Sequence, residues 1–183
     1  MTHTPIDNQN PAPGGSYRSA AEVGVTVKTT IERGDAYSAP EIYDVAITLL
    51  EVVRGEDAWE HIKAQGVPGE TPKAGFEYIL ARIRFGYSRR GRGLEDEIYK
   101  LTEGQFVAVS ADGQMEYIMP SVLQQLQPQL VDTLFHSGES REGWILLQVP
   151  EDEDKPLLVY KREHVEGVYG IWRHVWFQLY RQA

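Results

Sequence analysis

Between residues 75 and 87, apolar side chains recur at every second position. Ile79, Ala81, Ile83 and Phe85 share one parity, and Arg82 and Arg84 share the other. A helix would bring Arg82 and Phe85 to one side, so this spacing predicts a central β-strand half buried against a core. The same period recurs along the chain. Val23, Val25 and Val27 predict a first strand, and Val45, Ile47 and Leu49, opposite Ala46 and Thr48, predict a second over residues 43–53. Residues 144–149 are apolar on both parities, which predicts a strand interior to a sheet. Residues 157–160 predict a short strand. Residues 171–180 predict the last one, with Val175, Phe177 and Leu179 facing one way and Trp172, His174, Trp176, Gln178 and Tyr180 the other.

One stretch carries the helical period. From Asp57 to about residue 65, Trp59 and Ile62 lie three apart, Asp57 and Glu60 have the spacing of a capping box, and Gly66 is placed to stop the helix. Turn chemistry separates the remaining elements. Arg33-Gly34-Asp35 matches an integrin-binding tripeptide, but Gly-Asp is ordinary turn chemistry, and the turn reading is preferred. The basic residues 88–93 adjoin Glu95, Asp96 and Glu97, which marks a solvated hairpin loop rather than an RNA site. Residues 106–110 and 115–119 flank Asp112-Gly113 as a hairpin. Leu123, Leu126, Leu130 and Leu134 have helical spacing, but Pro128 interrupts them, so residues 120–136 read as a long connection. About eight strands and one helix, punctuated by turns, predict an all-β, immunoglobulin-like antiparallel β-sandwich with one short helix.

Composition narrows the setting. A chain of 183 residues, 42% hydrophobic and 25% charged, is enough for one core. Residues 1–22, rich in Pro, Gly, Asn and Thr, read as a flexible N-terminal tail or spacer, and residues 23–183 as the sandwich domain. The net charge of −9 argues against a nucleic-acid partner. There is no cysteine, so disulfides and thiolate metal sites are excluded. No apolar run reaches the length of a membrane span, and no signal peptide opens the chain. The expectation is therefore either a cytoplasmic protein or one whose signal has been removed.

Candidate chemistry is sparse. His3, His61, His136, His164 and His174 are scattered outside any nucleophile or zinc motif, so neither catalytic nor metal-ligating residues are assigned and no cofactor is expected. The acidic turn at residues 151–154 offers oxygen ligands for calcium. Adjacent acids on extended chain point apart and the EF-hand spacing is missing, so a solvated turn is preferred. The aromatic parity of the last strand, Trp172, His174 and Trp176, is the candidate partner or ligand face. A flat face there would serve a partner, and a concave one holding a carboxylate would serve a ligand.

Arg54-Gly55-Glu56-Asp57-Ala58-Trp59 before a helix, residues 75–82 opening the central strand, Ala111-Asp112-Gly113 with Tyr117, and Glu142-Gly143-Trp144 before Val149-Pro150 follow one another in an order that resembles the telokin-like, immunoglobulin-like domains of bacterial lipoproteins, the immunoprotective extracellular type. The resemblance spans residues 23–180. It implies a β-sandwich, export, and attachment through a lipidated cysteine and spacer. This chain lacks that cysteine, so membrane attachment is expected only through an anchor removed from it. The expected function is that of a non-enzymatic extracytoplasmic or cell-surface domain binding a protein or surface partner. The alternatives are a hydrolase or small-ligand-binding protein with its site near the C-terminal aromatic strand, and a cytoplasmic location.

Overall fold

The computed structural model describes residues 12–33, 41–67, 70–90, 98–117, 120, 126–161 and 174–180. Among them the chain forms β1 (Thr26–Arg33), β2 (Glu41–Arg54), α1 (Gly55–Ala64), β3 (Phe76–Arg89), β4 (Tyr99–Leu101), β5 (Phe106–Val109), β6 (Thr133–Phe135), β7 (Ser140–Pro150), β8 (Leu157–Tyr160) and β9 (Val175–Gln178). These strands pair as a four-stranded sheet, β1-β2-β3-β7, a three-stranded sheet, β5-β8-β9, and a ribbon, β4-β6, with every named pairing antiparallel. The architecture is an all-β sandwich with one short helix.

Parity fixes the inner face. In the register of β2 with β3, Val45 lies opposite Tyr87, Ile47 opposite Phe85 and Leu49 opposite Ile83. All six are buried together with Phe106, Ala108, Leu158, Tyr160, Val175 and Phe177 from the second sheet. Continued alternation past Leu49 would turn Glu51 into this core. A bulge between Leu49 and Glu51 shifts the parity, so that Glu51 is exposed and Val52 packs against the core. The first strand begins later than its valines predict. Gly24 takes φ +88° and donates its N–H to Leu49 O at 2.7 Å, which turns the chain before Thr26 and leaves Val23 exposed.

Among the described residues, the outer face of the four-stranded sheet is covered over one half only. α1 packs Ala58 and Ile62 on Tyr78, Leu80, Trp144 and Leu146, with Leu126 and half-buried Trp59 beside them. Both faces of β3 are therefore apolar from Tyr78 to Ala81, and alternation resumes at Arg82 once the helix ends its cover. The helix starts at Gly55, two residues before the expected cap, and Arg54 precedes it without a side-chain cap bond. Asp57 thus lies inside the first turn, where the helix dipole favours its charge, and the expected capping box does not form.

Strand β7 is apolar on both sides for the same reason, although it is the edge of its sheet and not an interior strand. The segment at residues 128–130 lies against that edge, with Trp144 N–H bonded to Pro128 O at 3.0 Å and Gln129 bridged to Trp144 in parallel. Gly143 permits this approach, because a Cβ there would stand 2.6 Å from Pro128 O and from Leu130 N. Of the expected hairpin after β5, the described residues show a turn with the bridge Val109 to Glu116 and Tyr117 N–H donating to Ala108 O at 2.9 Å, while β5 takes its full ladder from β8; residues 118 and 119 lie outside the described residues. The short strands β4 and β6 come from stretches with no readable period.

The start of the chain also departs from the spacer expectation at the residues described. Gly14 O accepts Trp176 N–H at 3.1 Å, Ala21 N–H donates to Trp176 O at 2.8 Å, and Gln178 N–H donates to Ala21 O at 2.9 Å. Residues 14–21 thereby run along the free edge of β9, and Ala20 and Tyr17 cover its outer face. Residues 1–11 lie outside the described residues.

Two substitutions test this packing. Ile83→Ala should lower unfolding free energy by about 2–5 kcal/mol by opening a cavity between the sheets; an unchanged urea midpoint would mean that the faces of β3 are reversed. Gly143→Ala should cost about 1–3 kcal/mol by pushing residues 128–130 off β7, and a variant as stable as the parent would show that this segment lies elsewhere.

Candidate functional site

Beyond the reach of α1, the outward positions of four neighbouring strands fall in one row: Lys28, Ala46, Gly86 and Ser140 are consecutive register partners. Three of the four have little or no side chain. The row forms the floor of an open trough of about 580 Å³ that crosses the strands, with Asp44 and Ser88 along one side. The next row on the opposite side is Thr26, Thr48, Arg84 and Glu142. Thr26 and Thr48 share a hydroxyl hydrogen bond of 2.8 Å there.

Ion pairs hold the walls. Arg90 Nε donates to both oxygens of Asp44 at 2.9 Å. Glu142 takes two guanidinium groups, Arg84 through Nε at 2.9 Å and Nη2 at 2.6 Å, and Arg82 through Nη2 at 3.0 Å. Glu139 accepts His136 N–H at 3.0 Å and Arg141 Nη2 at 3.1 Å. Each carboxylate is held below its ordinary pKa: Asp44 chiefly by its bonds from Arg90, Glu142 by those from Arg84, and Glu139 by the His136 N–H. A general base working near neutrality needs the opposite shift.

The sequence-predicted candidates lie elsewhere. Trp172, His3 and His164 are outside the described residues, so the expected triad of Trp172, His174 and Trp176 is described for two members only. His174 and Trp176 share a face as their parity requires, with ring centroids 6.4 Å apart. That face is covered. Tyr17 meets Trp176 edge-on at 6.3 Å, and the turn at Gly113 lies so close that a Cβ there would stand 3.1 Å from the indole. Neither His174 nor Trp176 lines the trough or the smaller hollow of about 420 Å³ beside Asp112 and Tyr117. His61 packs on Trp144 at 4.8 Å.

The acidic turn at residues 151–154 ties one end of the sandwich together. Arg54, ion-paired with Glu77, donates through Nη2 to Glu153 O at 3.0 Å. Tyr117 O–H donates to the Glu153 carboxylate at 2.7 Å, and burial followed by this bond raises the phenol pKa. Among the described residues, no group of three or more His, Asp or Glu is placed to hold a metal ion.

The trough was missed because its residues are individually unremarkable. The available signal was that Gly86 and Ser88 continue the outward parity of Arg82 and Arg84 with small side chains, but only the register brings Ala46 and Ser140 beside them.

No family model matches the chain, and no curated protein does. A solved structure of a presumed lipoprotein, ycdA, from Bacillus subtilis subsp. subtilis str. 168 is 13% identical, with a TM-score of 0.44, over 82% of this chain and 38% of that one. The chain thus spans well under half the length of the protein it is compared with. Among the described residues, no helix is long and apolar enough to cross a membrane.

The ion pairs set a pH dependence. Folded pKa values below the unfolded values, about 3.9 for Asp and 4.3 for Glu, mean that the unfolded chain binds more protons as pH falls between them. The contribution is complete above the unfolded values and is lost as pH falls through the folded ones. Arg84→Gln should therefore lose less stability than the parent between about pH 5 and pH 3 in urea titrations. Identical pH slopes would show that the Glu142 pairing makes no contribution.

Proposed function

We propose that the protein is a non-enzymatic extracytoplasmic domain that binds a protein partner on the open half of its four-stranded sheet. The observation that carries this reading is the trough itself. One half of a continuous sheet face is filled by α1, whereas the other ends in a row of small residues bordered by Lys28, Asp44 and Glu139. A rigid, shallow, polar-walled hollow fits an extended chain or a loop from another protein. The lowered carboxylates favour binding over catalysis, since none is poised to move a proton near neutral pH. The cell-surface setting and the telokin-like, immunoglobulin-like assignment rest on the order of sequence motifs.

Two measurements test this. A photocrosslinker at Ser88 should trap a partner on intact cells, while one at exposed Met115, beside the smaller hollow, should not. Equal trapping at both positions, or at neither, would overturn the trough as the binding face. Protease added to intact cells should degrade the protein, and complete protection would overturn the extracytoplasmic placement.

A further inference from the structure

We infer, resting on that reading of the trough, that its occupant is an extended acidic segment of the partner, with two carboxylates about four residues apart. The charged residues lining the trough are Lys28, Asp44 and Glu139, and their surroundings differ. Asp44, Glu139 and Glu142 are each already hydrogen-bonded to an arginine. Glu142 serves two guanidinium groups with one carboxylate, which leaves one positive charge over in the row next to the floor. Lys28, on the floor row, lies near enough for its charge to lower the pKa of Asp44, but no ion pair or hydrogen bond joins its ammonium to a described residue. Glu32 and Glu51 are exposed two rows from the floor, beyond the rows of Asp44 and Arg84.

An entering carboxylate therefore meets the unpaired Lys28 at one end and, in the next row, exposed Arg84, whose carboxylate partner is shared with Arg82. An entering ammonium meets only carboxylates that would have to exchange an arginine for it. The spacing follows from sheet geometry. Lys28 on β1 and Arg84 on β3 are two strands and two residues apart, about 12 Å, and an extended segment covers about 13 Å in four residues. Side chains four apart on such a segment point the same way, so both carboxylates face the floor. Such a segment crosses β2 between Ala46 and Thr48 and reaches β3 beside Gly86, where the absence of a side chain leaves its main chain room to lie flat; a Cβ there would reach only ordinary contact, 3.7 Å from Ala46 O.

The test uses the full chain and a fluorescein-labelled peptide, Val-Glu-Val-Ser-Val-Glu-Val, followed by polarisation. Binding is expected, weakened about fivefold by Gln in place of both Glu, by Lys28→Glu, or by salt raised well above physiological strength. Lys28→Gln, with an intermediate loss, checks that the effect is charge and not misfolding. Equal affinity for the Gln peptide, or no binding at millimolar protein, overturns the acidic occupant. Gly86→Val, which fills the trough, separates this inference from the reading beneath it. If crosslinking at Ser88 is abolished by Gly86→Val but is indifferent to Lys28→Glu and to salt, the trough stands and its occupant is not acidic. If crosslinking survives Gly86→Val, both fall.

Discussion

Phe85 stands where all three sheets meet. Its ring lies 5.2 Å from Phe135 of β6, 5.7 Å from Tyr160 of β8, 5.8 Å from Tyr99 of β4 and 6.4 Å from Phe106 of β5. Tyr43, Tyr87 and Tyr99 stack beside it at 4.9 Å spacings. Without cysteine there is no covalent staple, so these rings do what a disulfide does in many sandwiches: they hold two sheets at a fixed separation. Two of the ring hydroxyls meet inside the core. Tyr99 O–H lies 3.1 Å from Tyr160 O–H, and Gln105 Nε2 donates to Tyr99 at 2.5 Å.

This anchoring explains the order of the outer faces. Once β3 is fixed by Phe85, its alternate residues are committed to the far side of the sheet, and the sequence supplies Tyr78 and Leu80 under the helix, then Arg82, Arg84, Gly86 and Ser88 beyond it. The second sheet is finished differently. Its outer apolar residues, Val107, Val109, Leu157 and Val159, are covered by Ala20, Tyr17 and Trp176, so the N-terminal segment replaces a second helix. Among the described residues, the trough is thus the part of the outer surface of the four-stranded sheet that lies directly over the packed core and carries no covering element.

Much of the fold was legible in the sequence. Strands β2, β3, β7, β8 and β9 follow from period and apolar runs, and the helix from Trp59 and Ile62 with Gly66 behind them, because such patterns are local records of which side is buried. Strands β4 and β6 were not legible. Three residues hold no period, and Tyr99, Leu101 and Phe135 are buried only because Phe85 and Tyr87 wait for them. The aromatic parity of β9 was read correctly, but its covering by Tyr17 and the Gly113 turn was not, since residue 17 looked like tether until β9 offered it an unpaired edge.

The sequence by itself determined which residues of β2, β3 and β9 face inward, that a β-sandwich without disulfides would result, and that one short helix would accompany it. Those are consequences of alternation, composition and propensity, which act over a few residues. Only the tertiary structure decided that Lys28, Ala46, Gly86 and Ser140 share a row, that Glu142 receives both Arg82 and Arg84, and that Gly143 admits the chain at residue 128. Register between strands far apart in sequence is set by how the core fills and where bulges fall. A surface made of single residues from four strands exists only after that choice has been made.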